Sequence, residues 1–342
     1  VTTRARSRRR ARRTTAVLAA LVATALAAAG CSSTGGKRAE EERERRAAGG
    51  RAVVDTPRWT FAMVTHSGAG DTFWDIVRSG AEQAAAKDNI EFLYSADPEA
   101  GQQAELVRTR IDQGVDGLIV SLAKPEAMED VVREAVAAGI PVISVNSGQD
   151  ASAAFGALAH IGQDEVTAGR AVGTELTERG RRKAVCVLHE QGNVGHEERC
   201  AGVRETFEGT VENLYVDGTN MPSVQSSLEA ELQSDPEVDA VVTLGAPFAA
   251  TAVRAADQAG SDAQVATFDL NPAVVTGLRE GTVAFAVDQQ PYLQGYQAVD
   301  LLWLYRHNST MLGGGEPVRT GPQILTREDA EALAEYTARG TR

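Results

Sequence analysis

The stretch Val283 to Tyr296, Val-Ala-Phe-Ala-Val-Asp-Gln-Gln-Pro-Tyr-Leu-Gln-Gly-Tyr, decides how the chain is read. Its continuous apolar run, Val283 to Val287, predicts a strand buried on both faces, and the run stops at Asp288, Gln289 and Gln290. Pro291 then offers the fixed φ of a first helical turn, and Tyr292, Tyr296, Val299, Leu302 and Trp303 follow at helical spacing. Three amide or carboxylate side chains therefore sit between the carboxyl end of a buried strand and a helix start. In an open α/β sheet that is where ligands bind. The alternative is a polar loop that only caps the helix, and the stretch alone leaves both open.

Working outward, strand and helix patterns alternate from about Trp59: strand to Thr65, helix Phe73 to Lys87, strand Ile90 to Tyr94, helix Ala100 to Gln113, strand Gly117 to Ser121, helix Pro125 to Ala138, strand Pro141 to Val145. After a connecting strand around Phe155 to Ile161, the alternation repeats from Glu165 to Phe268. Such spacing predicts right-handed βαβ units and parallel sheets. The expected fold class is α/β, with two doubly wound, Rossmann-like lobes. The expected boundaries are 59–154 plus 286–325 for the N-terminal lobe, 155–285 for the C-terminal lobe and 326–342 for a tail, since the segment after Asp269 is too short to stand alone.

The start of the chain carries a different signal. Seven arginines lie between Arg4 and Arg13, followed by an apolar run, Ala16 to Ala29, and Gly30-Cys31-Ser32-Ser33. This order matches an export signal over residues 1–30. The run falls short of the roughly 20 residues that span a bilayer. Cleavage before Cys31 would leave an N-terminal cysteine for lipidation, and the pattern resembles a bacterial lipoprotein signal, although Ala28 stands where leucine is commoner. Arg12-Arg13 leaves a twin-arginine route open beside the general one. Residues 31–58, rich in Ser, Gly, Ala and charge, read as a flexible tether. Without residues 1–30, which hold seven arginines and no acid, the net charge moves from −13 to about −20. Nucleic acid and anionic lipid are poor partners for such a chain.

Several short motifs, taken in order, carry a family resemblance: Asp112-Gln-Gly-Val-Asp-Gly-Leu-Ile-Val-Ser121, Ala137-Ala-Gly-Ile-Pro-Val-Ile143, Gly162-Gln-Asp-Glu165 with Ala168-Gly169, Ala266-Thr-Phe-Asp-Leu270 and Asp288-Gln-Gln-Pro-Tyr292. The chain resembles the ribose-type substrate-binding proteins of bacterial ABC sugar importers over nearly all of Trp59 to Leu325. The resemblance implies a type I periplasmic binding protein: two lobes on a three-segment hinge that close on a sugar or polyol. It also implies an ABC permease as partner, a monomer, no cofactor and no catalysis, while the lipoprotein-like signal implies anchorage at the outer face of the cell membrane. A ligand-sensing receptor for a sensor kinase or chemoreceptor is the alternative output of the same fold.

A sugar presents apolar C–H faces and a rim of hydroxyls, so its site needs aromatic plates and forked polar groups. The loop after the first strand supplies Phe73 and Trp74, which match the family's stacking pair, with His66 and Asp71 beside them as hydroxyl partners. Adjacent helical residues point about 100° apart, so one ring is expected to stack and the other to be buried. Asn146 follows the fourth strand, where the family more often has an Asp-Arg pair; Ser147 stands in the Arg place. Arg199 matches the arginine that the family points at ligand hydroxyls, Asp269 matches its hinge aspartate, and Gln289 matches the amide of the last crossing. Gly245 and Ala246 stand where the family usually has Asn or Asp. Lys124 and Asn220 are weaker candidates for the cleft.

Cys186 and Cys200 lie in adjacent elements of an exported chain, so a disulfide and two buried free thiols are both open. The chemistry of an enzyme finds little support. His196-Glu-Glu-Arg-Cys200 lacks the second His of a zinc-protease helix, and His189 with His196 reads as turn and surface chemistry before it reads as a metal site. No nucleophile elbow or phosphate loop is present.

Overall fold

The computed structural model describes Val54, residues 56–68 and residues 71–342. The expected export signal over residues 1–30, Cys31 and nearly all of the expected tether over 31–58 lie outside the described residues.

The chain runs β1 (Thr60–Thr65), α1 (Thr72–Lys87), β2 (Glu91–Ala96), α2 (Ala100–Asp112), β3 (Gly117–Ser121), α3 (Pro125–Ala137), β4 (Val142–Val145), α4 (Gln149–Phe155) and β5 (Ala159–Gly162). It continues with α5 (Glu165–Glu178), β6 (Lys183–Leu188), α6 (Val194–Thr206), β7 (Thr210–Tyr215), α7 (Met221–Ser234), β8 (Ala240–Thr243), α8 (Ala246–Ala259), β9 (Gln264–Phe268), α9 (Pro272–Glu280) and β10 (Val283–Asp288). Then come α10 (Pro291–Asn308), β11 (Val318–Arg319), β12 (Gln323–Leu325) and α11 (Ala330–Ala338).

The strands form two six-stranded sheets, ordered β11-β5-β4-β3-β1-β2 and β12-β10-β9-β8-β6-β7. All described pairings are parallel except β10 with β12. Both faces of each sheet are covered, which is why the strands read as unbroken apolar runs. Successive residues of β1 serve opposite faces. Phe61 and Met63 pack with Val77, Ala81 and Leu302 under α1 and α10, while Ala62 and Val64 pack with Val107, Met128 and Val131 under α2 and α3. The second sheet repeats the scheme: Ala184, Cys186 and Leu188 lie under α5 and α6, whereas Val185 and Val187 lie under α7, α8 and α9.

Two doubly wound α/β halves are therefore present, but the strand pairing puts the crossings elsewhere than the sequence boundaries at 154/155 and 285/286. β5 pairs with β4 and belongs to the first sheet, and β10 pairs with β9 and belongs to the second. The chain changes sides just after each of these strands. Helix α5 leaves β5 to pack on α6, and α10 leaves β10 to pack on α1. The segment after Asp269 thus first completes the second half, with α9 and β10, before α10 and β11 complete the first. The expected tail, 326–342, contains α11, whose Ala330 and Leu333 join the second core beside α9.

Each swapped helix meets its partner at a glycine pair. A Cβ on Gly295 of α10 would stand 1.8 Å from the Val77 carbonyl oxygen of α1, and one on Gly169 of α5 would stand 2.1 Å from that of Arg199 in α6. Backbones this close exclude any side chain. Cys186 of β6 and Cys200 of α6 are joined by a disulfide, with their Cα atoms 6.0 Å apart.

Candidate functional site

The carboxyl ends of the two sheets face each other. The backbone N–H of Val194, at the start of α6, donates to the Ala123 carbonyl beyond β3 at 3.0 Å. Ser147 Oγ, beyond β4, lies 3.5 Å from Asn193 Oδ1, the cap of α6.

At the centre stands Gln289, buried to 1% exposure immediately after β10. Its Nε2 donates to Asp269 Oδ1 at 2.8 Å, and its Oε1 accepts from Asn146 Nδ2 at 3.1 Å and from Gln294 Nε2 at 3.0 Å. One forked amide therefore ties the residue after β4 to the residue after β9. Asn146 and Asp269 both have φ of 67°, in the left-handed region that Asn and Asp visit more readily than other residues with a Cβ. Their backbone N–H groups make matching bonds to the neighbouring strand, Asn146 to Ile161 O at 3.0 Å and Asp269 to Val287 O at 2.8 Å. The left-handed turn throws each side chain back over its sheet end. Burial pushes the Asp269 carboxyl up to about 7, against the opposing pull of Arg199 and the Gln289 hydrogen bond.

Arg199 is buried in α6 and already largely engaged. Its Nε and Nη2 donate to the two Glu165 oxygens at 2.7 and 2.8 Å, Nη1 donates to Leu244 O at 3.0 Å, and the guanidinium lies 4.5 Å over the Phe268 ring. Of its five N–H donors, two remain for another acceptor. Burial opposes the charge, yet Glu165 more than offsets it and raises the Arg199 pKa.

On the first half, Asp71 caps α1 by accepting from Phe73 N at 3.1 Å, and burial lifts its carboxyl to about 6. Trp74 is buried, edge-on to His66 at 5.1 Å and to Phe73 at 5.2 Å, while Phe73 is half-buried. His66 Nδ1 bonds Ser121 Oγ at 2.7 Å, and its Nε2 lies 3.7 Å from Glu190 Oε2 of the facing half. Burial lowers the His66 pKa despite Glu190.

All eight proposed ligand residues thus lie on the facing sheet ends or on the helices that start there. Other residues of this region escaped the sequence. His196 is buried, and His189 is stacked on Phe248 at 3.9 Å and tilted against His196 at 4.4 Å, so neither performs the surface chemistry expected of it. The Nδ1 atoms of both, with Glu190 Oε1, are buried without a hydrogen-bond partner among the described residues. Burial lowers His189 to about 3 and His196 well below its ordinary value, so these rings are neutral at pH 7. His189 follows β6 as His66 follows β1, a positional match that was the available signal. Asn220 caps α7 from an exposed position, accepting from Ser223 N at 3.2 Å, and Lys124 stays at the rim with Nζ 3.4 Å from Pro98 O. Among the described residues no group of three or more His, Cys, Asp or Glu side chains is disposed to hold a metal ion.

The arrangement offers a neutral amide fork, a partly engaged guanidinium, carboxylates and an aromatic cluster, enclosed between two sheets. Its side chains match the chemistry of a small molecule with many hydroxyls and apolar C–H faces. Comparison with known proteins agrees. A carbohydrate transporter from Acidothermus cellulolyticus 11B, solved in complex with myo-inositol, is 47% identical, with a TM-score of 0.83 covering 84% of this chain and 100% of that one. The xylose/arabinose-binding protein of Sulfolobus acidocaldarius is 25% identical over 303 residues, 82% of this chain and 74% of that protein. The ribose import binding protein of Bacillus subtilis is 26% identical over 237 residues, 67% of this chain and 75% of that protein. Residues 61–308 match the periplasmic binding protein domain, and the chain belongs to that family of substrate-binding proteins.

Proposed function

We propose that the protein captures a neutral sugar or polyol between its two halves outside the cytoplasm and delivers it to an ABC permease, as a monomer held at the membrane by lipidated Cys31. The observation that carries the ligand class is the buried Asn146–Gln289–Asp269 chain, in which one amide joins both halves where they face. Likeness to a structure bound to myo-inositol supports a cyclitol as the first candidate to try. Phe73, half-buried, would lie against the ring's C–H face, with the buried Trp74 packed edge-on behind it. His66, Asp71, Asn146, Arg199, Asp269 and Gln289 would meet its hydroxyls. Because hydroxyls both donate and accept, neutral histidines and forked amides serve them as well as charges do. No bond is made or broken: the ligand stabilises the closed arrangement, and the permease reads that arrangement.

The test is thermal unfolding of the purified protein with myo-inositol, D-ribose, D-xylose, D-glucose and sorbitol. A ligand at a thousandfold excess over its Kd adds about 4 kcal/mol, on the order of 10 °C in Tm for a chain of this size. Asp269→Ala and Gln289→Ala should each erase that shift while leaving a folded protein. A flat response across the panel, or full shifts in both variants, would remove the reading.

A further inference from the structure

The ion pair between Arg199 and Glu165 is the least expected feature of the cleft. Both residues are buried, at 3% and 5% exposure, and they come from the two helices of one crossing, α6 and α5. Glu165 uses both oxygens on the guanidinium, and Oε2 also accepts from Gln163 Nε2 at 2.7 Å. A bidentate contact of this kind is the one a carboxylate or phosphate ligand would otherwise make to an arginine. Here the protein supplies the carboxylate itself. Acids outnumber bases around the rest of the cleft: Asp71, Glu190 and Asp269 stand there, and Lys124 is at the rim.

We propose that Glu165 sets the charge specificity of the cleft, occupying the anion-binding fork of Arg199 so that the site accepts uncharged polyols and refuses their carboxylated or phosphorylated counterparts. This rests on the sugar or polyol reading above and deepens it. The two N–H groups left on Arg199 suit hydroxyl oxygens. An anionic ligand would have to bury its charge beside Asp269 with the guanidinium already paired to Glu165 and Lys124 held at the rim. An unpaired buried charge lowers affinity by more than about 100-fold.

The experiment is calorimetric titration of the purified protein and its Glu165→Gln variant with two matched pairs: D-glucose against D-glucuronate, and myo-inositol against myo-inositol 1-phosphate. In the parent protein, the neutral member of whichever pair binds should be favoured by about 100-fold or more. In Glu165→Gln, the freed Arg199 should narrow that preference by at least about tenfold. Should Glu165→Gln fail to fold, Glu165→Asp keeps the charge, and retained preference in it supports the proposal. Equal binding of an anionic member by the parent, an unchanged preference in folded Glu165→Gln, or lost preference in Glu165→Asp would each overturn it. Silence from both neutral members across all proteins, together with a flat response to the whole panel above, would instead overturn the polyol reading and carry this inference down with it.

Discussion

The two halves are built to one plan and finished differently. β1 and β6 are each followed by a histidine, His66 and His189; β4 and β9 each by a left-handed residue, Asn146 and Asp269; β5 and β10 each by a glutamine, Gln163 and Gln289. Both swapped helices meet their partners at glycines. The finishing differs at each place. Gln289 bridges the halves, whereas Gln163 turns away to Glu165. Asn146 is neutral where Asp269 is acidic. The second half straps β6 to α6 with a disulfide, where the first half has Met63 and aromatic packing around Trp74. What is repeated positions the site. What differs is the site.

If the crossings are equivalent, Gly295→Val and Gly169→Val should fail alike. Each would force apart backbones that leave no room for a Cβ, with an expected loss of roughly 3 kcal/mol or more in urea unfolding; a large cost in only one would break the equivalence. Next in size, replacing Cys186 and Cys200 by alanine should cost about 3 kcal/mol, given the 14-residue separation. Amide exchange should then rise in β6 and α6 and stay unchanged in β1 and α1.

Asp269→Asn makes the two left-handed residues chemically alike and should remove a pH dependence. Burial raises Asp269 from 3.8 to about 7, so the native state holds a proton that the unfolded chain has released over that window. Its stabilising contribution is complete below about 4 and is lost as pH rises through about 7. Between those limits the parent protein should lose up to about 1.4 kcal/mol per pH unit relative to Asp269→Asn, measured by unfolding without ligand from pH 4.5 to 7.5. Equal slopes would show that Asp269 does not titrate there. The smallest effect concerns Arg342, whose Nε donates to the fully buried Asp288 at 2.6 Å; the matching residue of the first half is Gly162. Arg342→Ala should cost about 1–2 kcal/mol, discounted for the partial exposure of the arginine, and Asp288→Gly with Arg342→Ala should recover part of it.

The fold class was legible because apolar runs and helical spacing survive in any sequence that buries both faces of a parallel sheet. Sheet membership was not: β5 and β10 look the same whichever sheet receives them, so the crossings were placed a strand too early. The short helices α4 and α9 carry too few turns to assert a period against their flanking loops. α11 was hidden because its buried stripe is small, Ala330 and Leu333. In the candidate site, the positions of residues that follow strands were legible from the strands, as for Asn146, Asp269 and Gln289. Contacts across the cleft could not, since His66 and Glu190 meet only after both halves exist, and the engagement of Arg199 by Glu165 depends on a helix crossing invisible to local pattern.

The exchange of helices also sets an order of completion during synthesis. The first sheet has all but its short edge strand once residue 162 is made, yet the face bearing Phe61, Met63 and Ile119 waits for α10, which ends at Asn308. The nascent N-terminal half therefore carries an open apolar face while most of the second half is translated, and only near the end of the chain is it sealed. The packing of the first half is therefore complete only after Asn308 has been made, however early its strands appear.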